Sequence, residues 1–477
     1  MTIIRALAAI LLVTGCSSLL IVGATGIVAT SSTTAEAPVR LMTLDPGHFH
    51  AALVQKSMYA DVSRRVDVYA PVGADLLGHL ARVTSYNTRA QSPTAWQLEI
   101  HAAPDFYERM LAEKPGNVVV LSGRNRVKMD RILGSVRAGL NVLADKPWVL
   151  RSEQLPQLDA ALAEADSKGI VAYDIMTERF EITSILQRDL VNDRDVFGTQ
   201  QAGSPEDPGV YMESIHYLMK VVSGAPNIRP AWFFETAEQG EGLNDIGTHL
   251  VDLAQWTLFP AQAIDYRKDV KVLAAQRWAT RIPEAEFKRV TGTAGFPTAL
   301  APDVKDGVLE YFCNTLVHYT VRGVHVGLNI IWDWEAPPGS GDRHFAVYRG
   351  SRARVEVRQG KADAYKPQLY VVPASAVDRA ALKDAVSRRI ASLASTHPGI
   401  GVEDAGPDLR ITIPDPLRVD HESHFAQVTA NFLSYRKDRS RLPAWERANM
   451  LAKYYVTTTG TELSRQGPPR EARRIAP

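Results

Sequence analysis

Three side chains in this sequence have types and spacing suited to proton and hydride chemistry. Asp245 and His249 stand four residues apart, so on a helical turn they share one face. Gly247 lies between them and permits a tight approach. An imidazole is the natural proton acceptor near neutral pH. Lys146 follows the apolar run 141–144 and precedes Pro147, which biases it towards extended backbone. An ammonium at such a strand tip can polarise a developing carbonyl or alkoxide. Together the three groups could oxidise an alcohol, with a base taking the hydroxyl proton as a hydride departs.

Something must position them. After Pro38, short strand-like runs alternate with helical stretches. Strands are expected over 39–44, 66–69, 117–121, 141–144 and 170–173, and helices over 51–58, 105–114, 128–138 and 154–165. Pro104 falls near the first turn of one helix and Gly139 ends another. This alternation predicts βαβ units and a parallel sheet, with ligands at the carboxyl ends of the strands. The turn after the first strand, Asp45-Pro46-Gly47-His48-Phe49-His50, keeps one glycine of a G-x-G-x-x-G phosphate turn. A single glycine with a helix N-terminus can still hold a phosphate. No acidic residue closes the second strand, so the pattern leaves both NAD and NADP open.

The stretch from Gly139 through Asn141, Val142, Asp145 and Lys146 to Pro147 resembles the G-x-x-V-x-x-E-K-P signature of the Gfo/Idh/MocA oxidoreductases. That family includes glucose–fructose oxidoreductase and inositol dehydrogenase. The stretch from Gly240 through Gly242, Asp245, Gly247 and His249 to Asp252 resembles its G-G-G-x-x-x-D-x-G-x-H-x-x-D signature. Glu178-Arg179-Phe180 fits a recurrent Arg-Phe after the nucleotide domain. Asp145 replaces the usual Glu, Glu241 interrupts the glycine run, and the spacer before Asp245 is one residue short. Ser122-Gly123-Arg124-Asn125 stands where Thr-Pro-Asn is frequent, and Lys128 where His is frequent. The C-terminal stretch with Asp420-His421-Glu422-Ser423-His424-Phe425 and Trp445-Glu446 resembles a branch of the family known only as oxidoreductases.

The resemblance implies an α/β chain: an N-terminal Rossmann-like, doubly wound parallel sheet, then a C-terminal α+β domain with a largely antiparallel open sheet. It implies NAD or NADP bound by Asp45, Gly47, His48, Phe49, Ser122, Asn125, Asp145, Lys146 and Pro147. It makes His249 the base, Asp245 its partner in substrate binding, and Lys146 the bridge between cofactor and sugar. Arg179 and His216 are candidate substrate contacts beside Asp245 and His249. His48 and His50 belong either to the site mouth or to a polar helix-start loop. His48-x-His50, even with His101, His216 and His249, lacks the paired spacing of metal sites, so no metal is expected. His421 and His424 are expected at the rim or in a structural role.

In the second domain, antiparallel strands are expected over 308–319, 324–334, 345–350 and 354–357, with helices over 425–435 and 445–455. Trp232, Phe233, Trp332 and Trp334 read more readily as core aromatics than as a sugar-stacking wall. The expected boundaries are a leader to residue 37, a nucleotide domain over 38–178, a substrate domain over 179–467 and a disordered tail over 468–477.

The 477 residues suit two domains. A charged fraction of 22%, a hydrophobic fraction of 45% and a net charge of +1 describe a globular protein without the basic excess of a nucleic-acid binder. Arg5 precedes a charge-free run to Ala35, the pattern of an export signal. Within it, Val13-Thr14-Gly15-Cys16 resembles a lipobox, which would make Cys16 the lipidated residue of a tethered, periplasmic or outer-face protein. An uncleaved anchor, or cleavage near Ala35 to Ala37, are the alternatives. The only other cysteine, Cys313, lies in an apolar strand-like stretch and reads as an inert buried thiol. Outside the cytoplasm an oxidoreductase should hold its cofactor tightly and recycle it. It could oxidise a sugar, or cleave a glycoside by transient oxidation. A non-catalytic sugar-binding protein on the same fold is the third reading. A homo-oligomer through the C-terminal sheet is possible for all three.

Overall fold

The computed structural model describes residues 39–222, 225–226, 228–375 and 377–468. The expected leader, with Cys16, and the tail beyond Pro468 lie outside the described residues. No helix among the described residues is long and apolar enough to cross a membrane.

The first sheet is built from β1 (Val39–Leu44), β2 (Val62–Ala70), β3 (Gln97–Ala102), β4 (Val118–Leu121), β5 (Asn141–Asp145) and β6 (Ala172–Ile175). All its pairings are parallel, in the order β3-β2-β1-β4-β5-β6. The helices between them are α1 (His50–Leu53), α2 (Ala74–Thr88), α3 (Phe106–Glu113), α4 (Lys128–Arg137) and α5 (Leu155–Lys168). The inner strands β1, β4 and β5 are buried at nearly every position, as a sheet covered on both faces requires. Strand order reverses between β1 and β4, which marks the crevice where such sheets take ligands.

The chain continues through α6 (Ile182–Val191), β7 (Val210–Met219), a small hairpin of β8 (Val221–Val222) and β9 (Ala225–Pro226), α7 (Thr236–Gln239), α8 (Gly242–Leu258) and α9 (Tyr266–Asp269). Next come β10 (Val270–Pro283), α10 (Glu284–Thr291), β11 (Val304–Lys305), β12 (Val308–Val321), β13 (Val324–Glu335), β14 (Arg343–Arg349), β15 (Ala353–Gln359) and β16 (Gln368–Pro373). It ends with α11 (Arg379–Ser392), β17 (Gly401–Ala405), β18 (Asp408–Thr412), α12 (His421–Lys437) and α13 (Glu446–Gln466). The second sheet runs β10-β12-β13-β7-β14-β15-β16-β18-β17 and is antiparallel except where β13 meets β7. The apolar faces of α6, α8, α11 and α13 cover one side of it.

Two features differ from the sequence reading. The helix expected over 51–58 is only four residues long, and the chain turns away after Leu53. The last helices also do not stay with the second sheet alone. Phe425, Val428 and Phe432 of α12 pack on the face of the first sheet that carries α1 and α2. Met450, Leu451 and Tyr454 of α13 pack with α4 and α5 on the other face. The C-terminal segment therefore clasps the nucleotide-type domain on both sides, and the described residues form one compact unit.

Candidate active site

The tips of β1, β4 and β5 lie side by side and bring three sequence-distant turns together. Asp145, at the end of β5, is their hub. His50 Nδ1 lies 2.9 Å from Asp145 Oδ2, and Ser122 Oγ donates to the same oxygen at 3.0 Å. His48 Nδ1 lies 3.4 Å from it. A carboxylate accepts only, so His50 is the donor of its pair. Burial works to raise the Asp145 pKa, but His50 and His48 hold it well below the usual carboxylate range. Burial pushes His50 down to about 3 and lowers His48, so both rings are neutral at ordinary pH. Lys128 Nζ donates to the Asp145 carbonyl at 3.0 Å, and burial takes its pKa down to about 8.

One residue along, the Lys146 ammonium turns to α8. It donates to the Asp245 carbonyl at 3.1 Å and pairs with the Asp245 carboxylate. The peptide bond from Lys146 to Pro147 is cis. Against the penalty of burial, the Lys146 charge holds Asp245 ionised. The position of Asp245 follows from how α8 begins. Glu241 and Asn244 form a capping box, and Glu241 is itself fixed by Arg277 at 2.6 Å and Arg465 at 2.9 Å. Gly242 is required there: a Cβ would stand 1.9 Å from the Cys313 carbonyl oxygen of β12. The helix can thus lie directly on the second sheet while aiming its first turn at Lys146.

His249 follows one turn later. Its Nδ1 is buried without a hydrogen-bond partner. Burial lowers its pKa to about 4, the nearby Lys146 charge adds to this, and Glu178 opposes it. The result is a neutral imidazole able to accept a proton.

Other groups face the same region. Glu178 is held low, against burial, by His421, His249 and His424. His421 Nδ1 lies 3.6 Å from Glu178, and the His421 ring is 5.7 Å from that of His50. His344 is driven to about 4 by burial. His216 bonds Ser214 at 2.8 Å and Asp342 at 3.2 Å. The site is therefore richer in histidine than the motifs indicate. His421 and Glu178 belong to its wall, and Lys128 supports it from beneath. The run from His421 to His424 was visible in the sequence, but its pairing with Glu178 is a tertiary contact.

Several expected residues are placed differently. Arg179 is engaged by Asp252 at 2.6 Å and by Glu446 at 2.9 Å, so its guanidinium is committed to a buried ion network. Lys453 extends that network to Asp174 at 2.6 Å and Asp252 at 3.2 Å. Phe49 is 37% exposed and packs on the rings of His48 and His50. Trp232, Phe233 and Trp332 are core aromatics, as their pattern predicts, with Arg229 lying over the rings of the last two.

Whether these residues suit a nicotinamide dinucleotide divides by end. Around Lys146, the unpartnered buried atoms His249 Nδ1 and Asn125 Oδ1 offer contacts to a polar ring and ribose. Asn125 itself is braced by its Nδ2 on the Gln239 carbonyl at 2.8 Å. At the phosphate end, the amides of Gly47 and His48 already donate to Asp45 and Ser122 at 2.8 and 3.1 Å. A Cβ on Gly123 would stand 2.2 Å from the Asp45 carbonyl, so the two turns touch. Trp232 covers Gly47 and donates to Asp75 at 3.1 Å. The nicotinamide end fits, whereas the turn does not form the glycine cradle of a dinucleotide fold.

Residues 186–465 match the family profile described as "Putative oxidoreductase C terminal domain". A crystal structure of a "putative oxidoreductase" from Parabacteroides merdae is 45% identical, with a TM-score of 0.88, over 91% of this chain and 98% of that one. A protein of gentamicin A biosynthesis, in complex with NAD, shares the fold at 15% identity and a TM-score of 0.52, over 92% of this chain and 97% of that one. A 3-ketoreductase from Actinomadura kijaniata, in complex with NADP, does so at 13% and 0.51, over 91% and 98%. No curated protein sequence matches the chain. With the two signatures joined at one site on this two-sheet fold, the chain belongs to the Gfo/Idh/MocA family of oxidoreductases.

Proposed function

We propose that the protein interconverts a hydroxyl and a carbonyl on a sugar or related polyol, using NAD or NADP held at the tips of β1, β4 and β5. The observation that carries this reading is the meeting of Lys146 with Asp245, one helical turn from a half-buried, neutral His249. When bound, the nicotinamide supplies the hydride acceptor or donor. His249 takes the hydroxyl proton, because its free Nδ1 has no other partner. Lys146 stabilises the negative charge that develops on the substrate oxygen, and Asp245 holds the ammonium in place. Asn125, Ser122 and Asp145 would line the nicotinamide end. The burial of Lys146 and Asp245 strengthens each of these charge interactions relative to open water.

The charge-free run after Arg5 supports an exported protein tethered through Cys16, with its cofactor retained between turnovers. Loss of labelled palmitate incorporation on Cys16→Ser is expected if the tether is right. Association through the second sheet is part of the same proposal, and light scattering on the purified chain would show the 52.5 kDa monomer mass if it is wrong.

The deciding experiment is to denature the purified protein and identify any released nicotinamide nucleotide by absorbance and mass, then to screen sugars with the native enzyme. Released or tightly bound NAD or NADP with sugar-dependent turnover is expected. Sugar release without net nicotinamide redox change would mean a glycosidase using transient oxidation. No nucleotide binding of any kind would overturn the oxidoreductase mechanism and leave sugar binding alone.

A further inference from the structure

We propose that His48, His50 and Asp145 bind a single divalent first-row transition-metal ion. Their ligand atoms all lie within 4.8 Å of one another. Both Nδ1 atoms approach the same carboxylate oxygen, at 2.9 Å for His50 and 3.4 Å for His48. Donors bound at about 2.0–2.2 Å around one ion are separated by distances of this order. The rings meet edge to face with centroids 4.1 Å apart, which turns two nitrogens towards one point without stacking the rings.

A plain hydrogen-bonded pair accounts for His50 but not for His48. Asp145 Oδ2 already takes His50 and the Ser122 hydroxyl, and His48 Nδ1, 3.4 Å from it, is left buried without a hydrogen bond. An ion between the three donors would satisfy it. Binding would require the proton that His50 Nδ1 donates to Asp145 to leave for Nε2 or for solvent, freeing the lone pair for the ion. The nearby positive charge of Lys146 is neutralised by Asp245. Ser122 and Lys128 hold the carboxylate and its backbone in place, the kind of support that tunes metal sites.

The donor set excludes some ions. Two nitrogens and one carboxylate suit zinc, iron, cobalt or manganese better than calcium or magnesium, which favour all-oxygen sites. Three protein ligands leave coordination positions for a water or a ligand oxygen. The site also lies at the turn where the amides of Gly47 and His48 are already used. An ion here would bring positive charge to the strand tip that the glycine-poor turn does not supply. The hydride chemistry proposed above does not require it.

The test is metal binding by the full chain, stripped with a chelator and dialysed. Titration with Zn2+, and with Co2+ followed by visible absorption, should show one saturable equivalent. His48→Gln and, separately, Asp145→Asn should each weaken it by more than about tenfold, while His249→Gln should not. Circular dichroism reports whether each variant is folded, and the partly exposed His48 makes His48→Gln the variant that decides. Absence of saturable uptake overturns the proposal. So does uptake of equal affinity in folded His48→Gln, since the ion would then sit elsewhere.

Discussion

Lys146 and Asp245 are ninety-nine residues apart in sequence, yet the ammonium of one is bound by both the carbonyl and the carboxylate of the other. The contact joins the tip of the parallel sheet to the first turn of α8. It sets the position of the proposed base as well, because His249 rides on the same helix. A change at either partner should therefore alter chemistry more than folding of either sheet.

Lys146→Arg keeps the charge but replaces a compact point donor with a planar fork that the buried Asp245 pocket is not shaped to take. We expect kcat/KM to fall by roughly a hundredfold or more, in the range for lost oxyanion stabilisation. Lys146→Met should fall at least as far. Steady-state kinetics with an active sugar decide it; an Arg variant with ordinary turnover would remove Lys146 from the chemistry.

His249→Gln should cost about 10²–10⁴-fold in kcat with nucleotide binding preserved, as for a lost general base. The readout is the split between kcat and the nucleotide dissociation constant. Equal loss of both would mean that the ring supports the pocket instead of moving a proton.

Arg179→Met removes the guanidinium and leaves Asp252 and Glu446 buried together. Breaking such a network from one side costs about 3–5 kcal/mol. Calorimetry should show a large drop in melting temperature, partly recovered by adding Glu446→Gln. An unchanged melting temperature would mean that the network adds nothing.

Acid should destabilise the fold well before most carboxylates titrate. Burial takes His50 to about 3 and His249 and His344 to about 4. In the unfolded chain these rings protonate near about 6.5. Between those limits the unfolded state binds more protons, so stability rises with pH there and falls as pH drops from about 6.5 to 4. Each histidine contributes up to about 1.4 kcal/mol per pH unit in that window. Asp252, held near 2 against burial by Arg179 and Lys453, adds a loss in the same direction at lower pH. The melting temperature should decline steadily from pH 7 to pH 5, less steeply in His249→Gln. A flat profile would contradict the buried neutral state of these rings.

Gly242→Ala tests the close approach of α8 to β12. The methyl group would meet the Cys313 carbonyl at 1.9 Å. Because backbone must move, we expect a loss of about 1–3 kcal/mol or more, together with reduced turnover from a displaced Asp245. Denaturant unfolding and kinetics on one preparation would separate the two; an effect on neither would show that the helix is free to shift.

The sequence by itself determined the parallel alternation of the first domain and singled out Lys146, Asp245 and His249 as candidates. Buried strands such as 118–121 are continuous apolar runs, and Lys146, Asp245 and His249 sit in local motifs that resemble the family signatures. It also marked the single glycine of the β1 turn as unusual. Tertiary structure decided what surrounds those residues. The committed amides of Gly47 and His48, the approach of two imidazoles to Asp145, and the pairing of Glu178 with His421 all join segments far apart in the chain. The same holds for α12 and α13, whose apolar faces fit either domain by pattern and are assigned to both sides of the first sheet only by packing. Periodicity reports which face of an element is buried. It carries no information about the partner, because the hydrophobic effect has no direction.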